Sequence, residues 1–236
     1  MKKTFVFIGN FGSGKSEIAI NTALKASATE STVLVDLDII NPYFRSSERK
    51  ALLNAHGIQV HHPLFAMTGV EAPSIPPDIY AVFVDQHETV VFDVGGDPTG
   101  AVALGQYKRN FDSLPYLEVL YVINPMRPLS STVESIVDMI GSITSKSRLP
   151  VTGLVNNANL SNENSFEILL HGYDIVKQVS IDTGIPVRFT VAESAILNEF
   201  SKAIYSYEPD SKYIGEKFSI DRYMHRDWER FTENGI

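Results

Sequence analysis

Thr4-Phe5-Val6-Phe7-Ile8-Gly9-Asn10-Phe11-Gly12-Ser13-Gly14-Lys15-Ser16-Glu17 is the stretch on which the reading of the whole chain turns. Its first five residues are apolar or β-branched, which suits a strand covered on both faces of a parallel sheet. Gly9 to Ser16 then match G-x-x-x-x-G-K-[ST] at every fixed position. Glycines let successive backbone N–H groups turn inward onto anionic oxygens, and the helix that follows points its positive end at the same place. Lys15 brings a compact positive charge to the terminal phosphates, and Ser16 offers a hydroxyl to magnesium. Such a pattern arises by chance in roughly 1 in 100 chains of this length. Here it also lies between a strand and a helix, as the chemistry requires. Gly9, Asn10, Phe11, Gly12, Ser13, Gly14, Lys15, Ser16 and Glu17 are therefore expected around a nucleoside triphosphate, with Lys15 acting on the chemistry as well.

Outward from this loop, strands and helices alternate. Helices are predicted over Ser16–Ala28, Ser46–Ala55, Leu129–Ser145, Ser165–Thr183 and Ser194–Ser206. Strands are predicted over Thr32–Asp36, Ile58–Val60, Thr89–Asp93, Glu118–Ile123, Val151–Asn156 and Pro186–Val191. The prolines between Pro63 and Pro77 leave residues 57 to 80 without clear periodicity, a surface segment suited to substrate or partner specificity. The alternation predicts an α/β fold: one doubly wound, mostly parallel sheet with helices on both faces and ligands at the carboxyl ends of the strands. The 236 residues suit a single nucleotide-binding domain, with a polar tail from about 208 that ends in a helix over Ile220–Thr232.

Two further strands end in acids. Val91-Phe92-Asp93-Val94-Gly95-Gly96 places Asp93 where a carboxylate holds the water shell of magnesium, and Gly96 where a backbone N–H approaches the γ-phosphate. Val33-Leu34-Val35-Asp36-Leu37-Asp38 puts Asp36 and Asp38 on one face if the strand continues that far. One of these acids would support magnesium and the other would orient the attacking water. The bland alternatives are a strand-end Asp93 that caps the next helix before a turn, and solvent-exposed turn acids at Asp36 and Asp38.

The order of these motifs resembles the MinD/ParA/CobQ-type branch of P-loop NTPases, over roughly residues 3 to 200. The resemblance implies that Asp38 positions the attacking water, that Asp36 lies near magnesium and that a homodimer forms. The chain departs from that branch at the extra loop lysine, whose place is held by Asn10. Arg45 is the nearest candidate to replace its charge. Related GTPases read guanine with N-K-x-D; the corresponding Asn156-Asn157-Ala158-Asn159 lacks both the lysine and the acid. Asn156 resembles an adenine contact of the ATPase branch, and Val191-Ala192-Glu193-Ser194 lies where family members touch the base. ATP is expected over GTP, with magnesium.

Composition narrows the rest. A formal charge of −8 argues against a broad nucleic-acid surface. The absence of cysteine excludes disulfides and thiolate-ligated metal or iron–sulfur centres. No run approaches the length of a membrane span, and a cytoplasmic protein is expected. Three functions stay open: an ATPase whose nucleotide state controls a partner protein, a small-molecule kinase or ATP-dependent ligase, and a switch that binds nucleotide without hydrolysing it.

Overall fold

Apolar runs at 5–8, 33–35, 90–92 and 119–123 leave no polar face for water, so each needs cover above and below. The computed structural model describes residues 2–38, 45–62, 77–96, 98–206 and 210–224 and supplies that cover. Its strands are β1 (Lys3–Ile8), β2 (Thr32–Leu37), β3 (Gln59–His61), β4 (Thr89–Val94), β5 (Leu117–Ile123), β6 (Gly153–Asn156), β7 (Val187–Ala192) and β8 (Glu216–Ser219). Every residue of β2 and β4 is buried. The strands form one eight-stranded sheet in the order β3-β2-β4-β1-β5-β6-β7-β8, and every described pairing is parallel.

Helices lie on both faces: α1 (Lys15–Ser27), α2 (Lys50–Ala55), α3 (Pro77–Val84), α4 (Pro98–Gln106), α5 (Lys108–Asp112), α6 (Val133–Ser147), α7 (Phe166–Thr183) and α8 (Ser194–Ser206). Alternation along the strands divides the core. Phe7, Leu34, Val91, Leu120 and Val122 pack with Ile18, Ala19 and Ala23 of α1. Val6, Ile8, Val35, Phe92 and Tyr121 pack on the opposite face with residues of α3, α4 and α6. There Phe83 stacks on Phe92 and Tyr107 at 5.6 Å, and Phe111 meets Phe83 edge-on at 5.0 Å. A third cluster, with Leu169, Tyr173, Leu197 and Phe200, seals α7 against α8.

Several elements differ from expectation. The helix predicted from Leu129 begins at Val133, because a 3-10 turn over Pro128–Ser130 precedes it and Thr132 caps it through Ser135 N. Helices α3, α4 and α5 were not predicted: glycines and the nearly all-apolar α3 sequence blur the helical period. The tail helix is overturned where the chain is described. Residues 216–219 form β8 and 220–224 run on without helix, held by side chains of α1 that no local propensity reveals. Most of the proline-rich segment, 63–76, and the rest of the predicted tail helix, 225–232, lie outside the described residues.

Candidate functional site

The loop from Gly9 to Gly14 leaves the carboxyl end of β1 and enters α1 without a side-chain cap on the helix. The first-turn N–H groups and the helix dipole therefore face the hollow of the loop, where an anion satisfies both. Gly14 has φ 91°, and a Cβ there would fall 2.3 Å from Asn157 Nδ2. That amide donates to Ser13 O at 2.7 Å, so the position tolerates only glycine on two separate grounds. Lys15 is buried and its Nζ donates to Asn10 O at 3.1 Å across the loop. Phe11 stands at the rim, 58% exposed.

The acids sit behind this cradle. Asp36 and Asp93 are register partners on β2 and β4, and Asp93 also aligns with Phe7 of β1, so both carboxylates emerge on the α1 face. Asp36 is fully enclosed. Its Oδ1 accepts from Asp38 N at 3.0 Å, and its Oδ2 from Ser47 N at 3.1 Å and Arg45 Nε at 3.4 Å. Asp93 is as deeply buried, yet among the described residues neither of its oxygens has a hydrogen-bond partner. Burial foremost, then the charge of Asp36, pushes its pKa up to about 7. The hydroxyls of Ser16 and Ser46 and the Lys15 ammonium oppose that rise, the hydroxyls from outside hydrogen-bond geometry. Two orphaned buried oxygens beside a helix N-terminus and a serine hydroxyl form a donor set suited to a hydrated magnesium ion.

Asp38 follows β2, is 8% exposed and reaches the cavity in front of the cradle. Its carboxylate lies against Gly95, where a Cβ would sit 3.1 Å from Oδ1. At Gly96 a Cβ would stand 2.5 Å from Phe11 N, so the end of β4 packs directly on the cradle backbone.

The cavity measures about 480 Å³. Lys15, Ser16, Asp38 and Arg127 line it beside the glycine loop. Asn157–Asn159, Ser161 and Val191–Glu193, together with Ile220, Arg222 and Met224, complete the lining. The 157–161 part of that lining is stiffened by asparagines. Asn124 accepts from Asn159 N and Met126 N, and Asn159 is itself engaged with Asn157 O and Ser161 N.

Solved structures with the same arrangement include FtsY from Thermotoga maritima (18% identity, TM-score 0.51, covering 80% of this chain and 61% of that one). FtsY from Elizabethkingia anophelis in complex with GDP matches at 17% identity and TM-score 0.53, over 80% and 57% of the two chains. The 54 kDa signal recognition particle protein from Aeropyrum pernix K1, also with GDP, matches at 16% identity and TM-score 0.52, over 80% and 41%. The fold is that of a P-loop NTPase. The chain spans about three-fifths or less of the length of these neighbours. No protein-family model matches it, and no curated protein matches it in sequence. These structural neighbours include signal-recognition-particle and FtsY proteins, and the finer likeness to the MinD/ParA branch rests on the motifs alone.

Within this P-loop fold the predicted site residues separate. Gly12, Gly14, Lys15, Ser16, Phe11 and Asp38 line the cavity, with Asp93 and Gly96 directly behind. Gly9 and Ser13 are buried in the loop itself. Three side chains point elsewhere. Asn10 donates to Leu129 O at 2.7 Å and Ser130 Oγ at 2.8 Å, tying the cradle to the loop after β5 and leaving only its backbone to the site. Asn156 donates to Leu169 O and accepts from Ala158 N, away from the cavity; its neighbour Asn157 is the one that lines it. Glu17 lies at the cavity edge, but its carboxylate accepts from Tyr223 N at 2.6 Å and Met224 N at 3.0 Å. Burial raises its pKa against these bonds. Arg45 pairs with the enclosed Asp36 and does not reach the cavity lining. Arg127 does reach it, beside Lys15 and Arg222, and its Nε donates to Gly12 O at 3.2 Å. Arg127 was missed, although its place in the loop after β5, beside β1 at the point where the chain crosses the sheet, was the available signal. Among the described residues no helix is long and apolar enough to cross a membrane.

Proposed function

We propose that this chain binds ATP with magnesium and hydrolyses it slowly, its nucleotide state controlling a partner protein. The observation that carries the proposal is Asp93: a buried carboxylate with two unpartnered oxygens, directly behind Lys15 and Ser16. Ser16 and Asp93 would hold magnesium, which supplies charge neutralisation for the phosphates when bound. Asp36, through Asp38 N and Ser47 N, fixes the turn that carries Asp38 to the cavity. Asp38 orients the water that attacks the terminal phosphate. Lys15 and the uncapped first turn of α1 offset the charge that develops on the phosphate oxygens.

The choice of adenine rests on Asn159, at the place of the guanine-reading acid. Its amide is already engaged with Asn157 O and Ser161 N, which leaves no carboxylate for the two donors of guanine. The GDP in two neighbours favours guanine as the second reading. Control of a partner is supported by Phe11 and Leu129, 58% and 61% exposed, close to the cradle. The same apolar rim suits a second copy of the chain.

Lys15→Ala tests the core of the proposal. Phosphate release from ATP is expected at a low basal rate in the parent and to fall at least about 100-fold in the variant. Equal rates in both would remove Lys15 from the chemistry. Parallel titrations with ATP and GTP decide the base, and tighter GTP binding would overturn the adenine assignment.

A further inference from the structure

Beyond Ser219 the chain leaves the sheet. Ala192↔Ser219 is the last register pair of β7 and β8, followed by one bond from Ile220 N to Ala192 O at 3.0 Å. From there the backbone is carried by α1. Asn21 clasps Asp221 from both sides, donating to its carbonyl at 2.8 Å and accepting from its N–H at 2.9 Å. Glu17 accepts from the next two N–H groups, Tyr223 and Met224. One turn further along α1, Lys25 donates to Ser219 O at 2.5 Å and lies 3.8 Å above the Phe218 ring. Residues 17, 21 and 25 are spaced by four, so they form one line along the helix, and all three hold the same segment.

Alternation then sets what the segment presents to the cavity. Ile220, Arg222 and Met224 line it, and Arg222 reaches across to donate to Ser161 Oγ at 2.8 Å on the opposite wall. Ile220 meets Ala192 at the carboxyl end of β7 and Arg222 meets Ser161, so the segment joins the 157–161 and 191–193 parts of the lining. Two apolar side chains, with the Arg222 guanidinium drawn onto Ser161, suit the flat, largely apolar face of a purine.

We propose that residues 218–224 are a strap forming the base-side wall of the nucleotide pocket, with Glu17, Asn21 and Lys25 as its track on α1, and that this strap sets how long a nucleotide stays bound. The inference rests on the nucleotide-binding reading above and adds to it the residues that govern release. Ile220, Arg222 and Met224 contact the base; Glu17, Asn21 and Lys25 are positioning residues. Because Glu17 follows Ser16 directly, the strap and the phosphate cradle hang on the same helical turn.

The test uses the full chain with magnesium. Stopped-flow displacement of N-methylanthraniloyl-ATP gives the release rate, and calorimetry gives the affinity for ATP and for inorganic tripolyphosphate, which has no base. Asn21→Ala frees the strap without touching the cavity lining, and Met224→Ala removes part of the wall without touching the track. Each is expected to speed nucleotide release about tenfold, the size of a pair of lost hydrogen bonds or of one lost apolar contact. Tripolyphosphate affinity should stay within about twofold of the parent, a split that general loosening of the fold would not produce. Parental release rates in both variants would overturn the strap, as would a parallel loss of tripolyphosphate and nucleotide. A parent that binds tripolyphosphate as tightly as ATP would overturn the strap and leave the cradle standing. A parent that binds neither would bring down both.

Discussion

Asp93 is the residue whose placement is hardest to explain without a ligand. Burying a carboxylate that makes no hydrogen bond among the described residues is unfavourable, and the second acid beside it adds repulsion, which the nearby Ser16, Ser46 and Lys15 only partly offset. The cost appears in the pH dependence of the apoprotein. A carboxyl whose pKa is raised on folding, here from 3.8 to about 7, favours the folded state while protonated. That contribution is complete below the unfolded value and is lost as the pH rises through the folded one. Asp93→Asn cannot ionise, so its apo stability lacks this loss. Its advantage over the parent should widen by about 2–4 kcal/mol between pH 4 and pH 8 in denaturant titrations, while ATP hydrolysis falls. A constant gap across that range would mean that Asp93 is neither buried nor beside the charge of Asp36 in solution. Asn10 teaches the complementary lesson. Its type at that position marks the missing lysine, yet the side chain is a tether between two loops, with both donor protons used.

Elements meet in the site at backbone distance. The end of β4 rests on the cradle with no room for a methyl group at Gly96, 2.5 Å from Phe11 N. Gly96→Ala must therefore move either β4 or the loop. Loss of nucleotide affinity by about tenfold or more is expected, with a drop in stability of about 1–3 kcal/mol. Unchanged affinity in a calorimetric titration would show that the two backbones stand further apart. Strand-to-loop junctions of this kind were legible in the sequence, because each apolar run ends in a polar or glycine residue. The helices between Pro77 and Asp112 were not. They hold the aromatic cluster of Phe83, Tyr107 and Phe111 by long-range contact with Phe92, and short helices of mixed pattern gain their stability from such packing rather than from local propensity.

At the scale of the whole molecule, ligand and fold are linked. A magnesium–nucleotide held as proposed, by the glycine loop, Ser16 and Asp93, would bind only the folded chain. At a concentration 100 times its dissociation constant it adds about 2.7 kcal/mol. For a chain of this size that is an upward shift of roughly 5–10 °C in the melting temperature. Differential scanning fluorimetry with and without Mg-ATP reads it directly, and the shift should vanish in Lys15→Ala. A shift of the same size in that variant would place the ligand outside the cradle.

The sequence by itself determined the parallel α/β sheet, the glycine-rich loop that enters α1 and the acids behind it, because strand period, glycine conformation and the lysine–serine pair are local properties written within a few residues. Only the tertiary structure decided that Asn157, not Asn156, lines the cavity, that Arg127 rather than Arg45 reaches the glycine loop, and that residues 219–224 run along α1. Those outcomes depend on which of several polar side chains finds a partner more than 100 residues away, for example Asn157 on Ser13 or Glu17 on Tyr223. Neither pattern nor propensity carries that information, because hydrogen bonds between distant segments are chosen by how the sheet brings strand ends together.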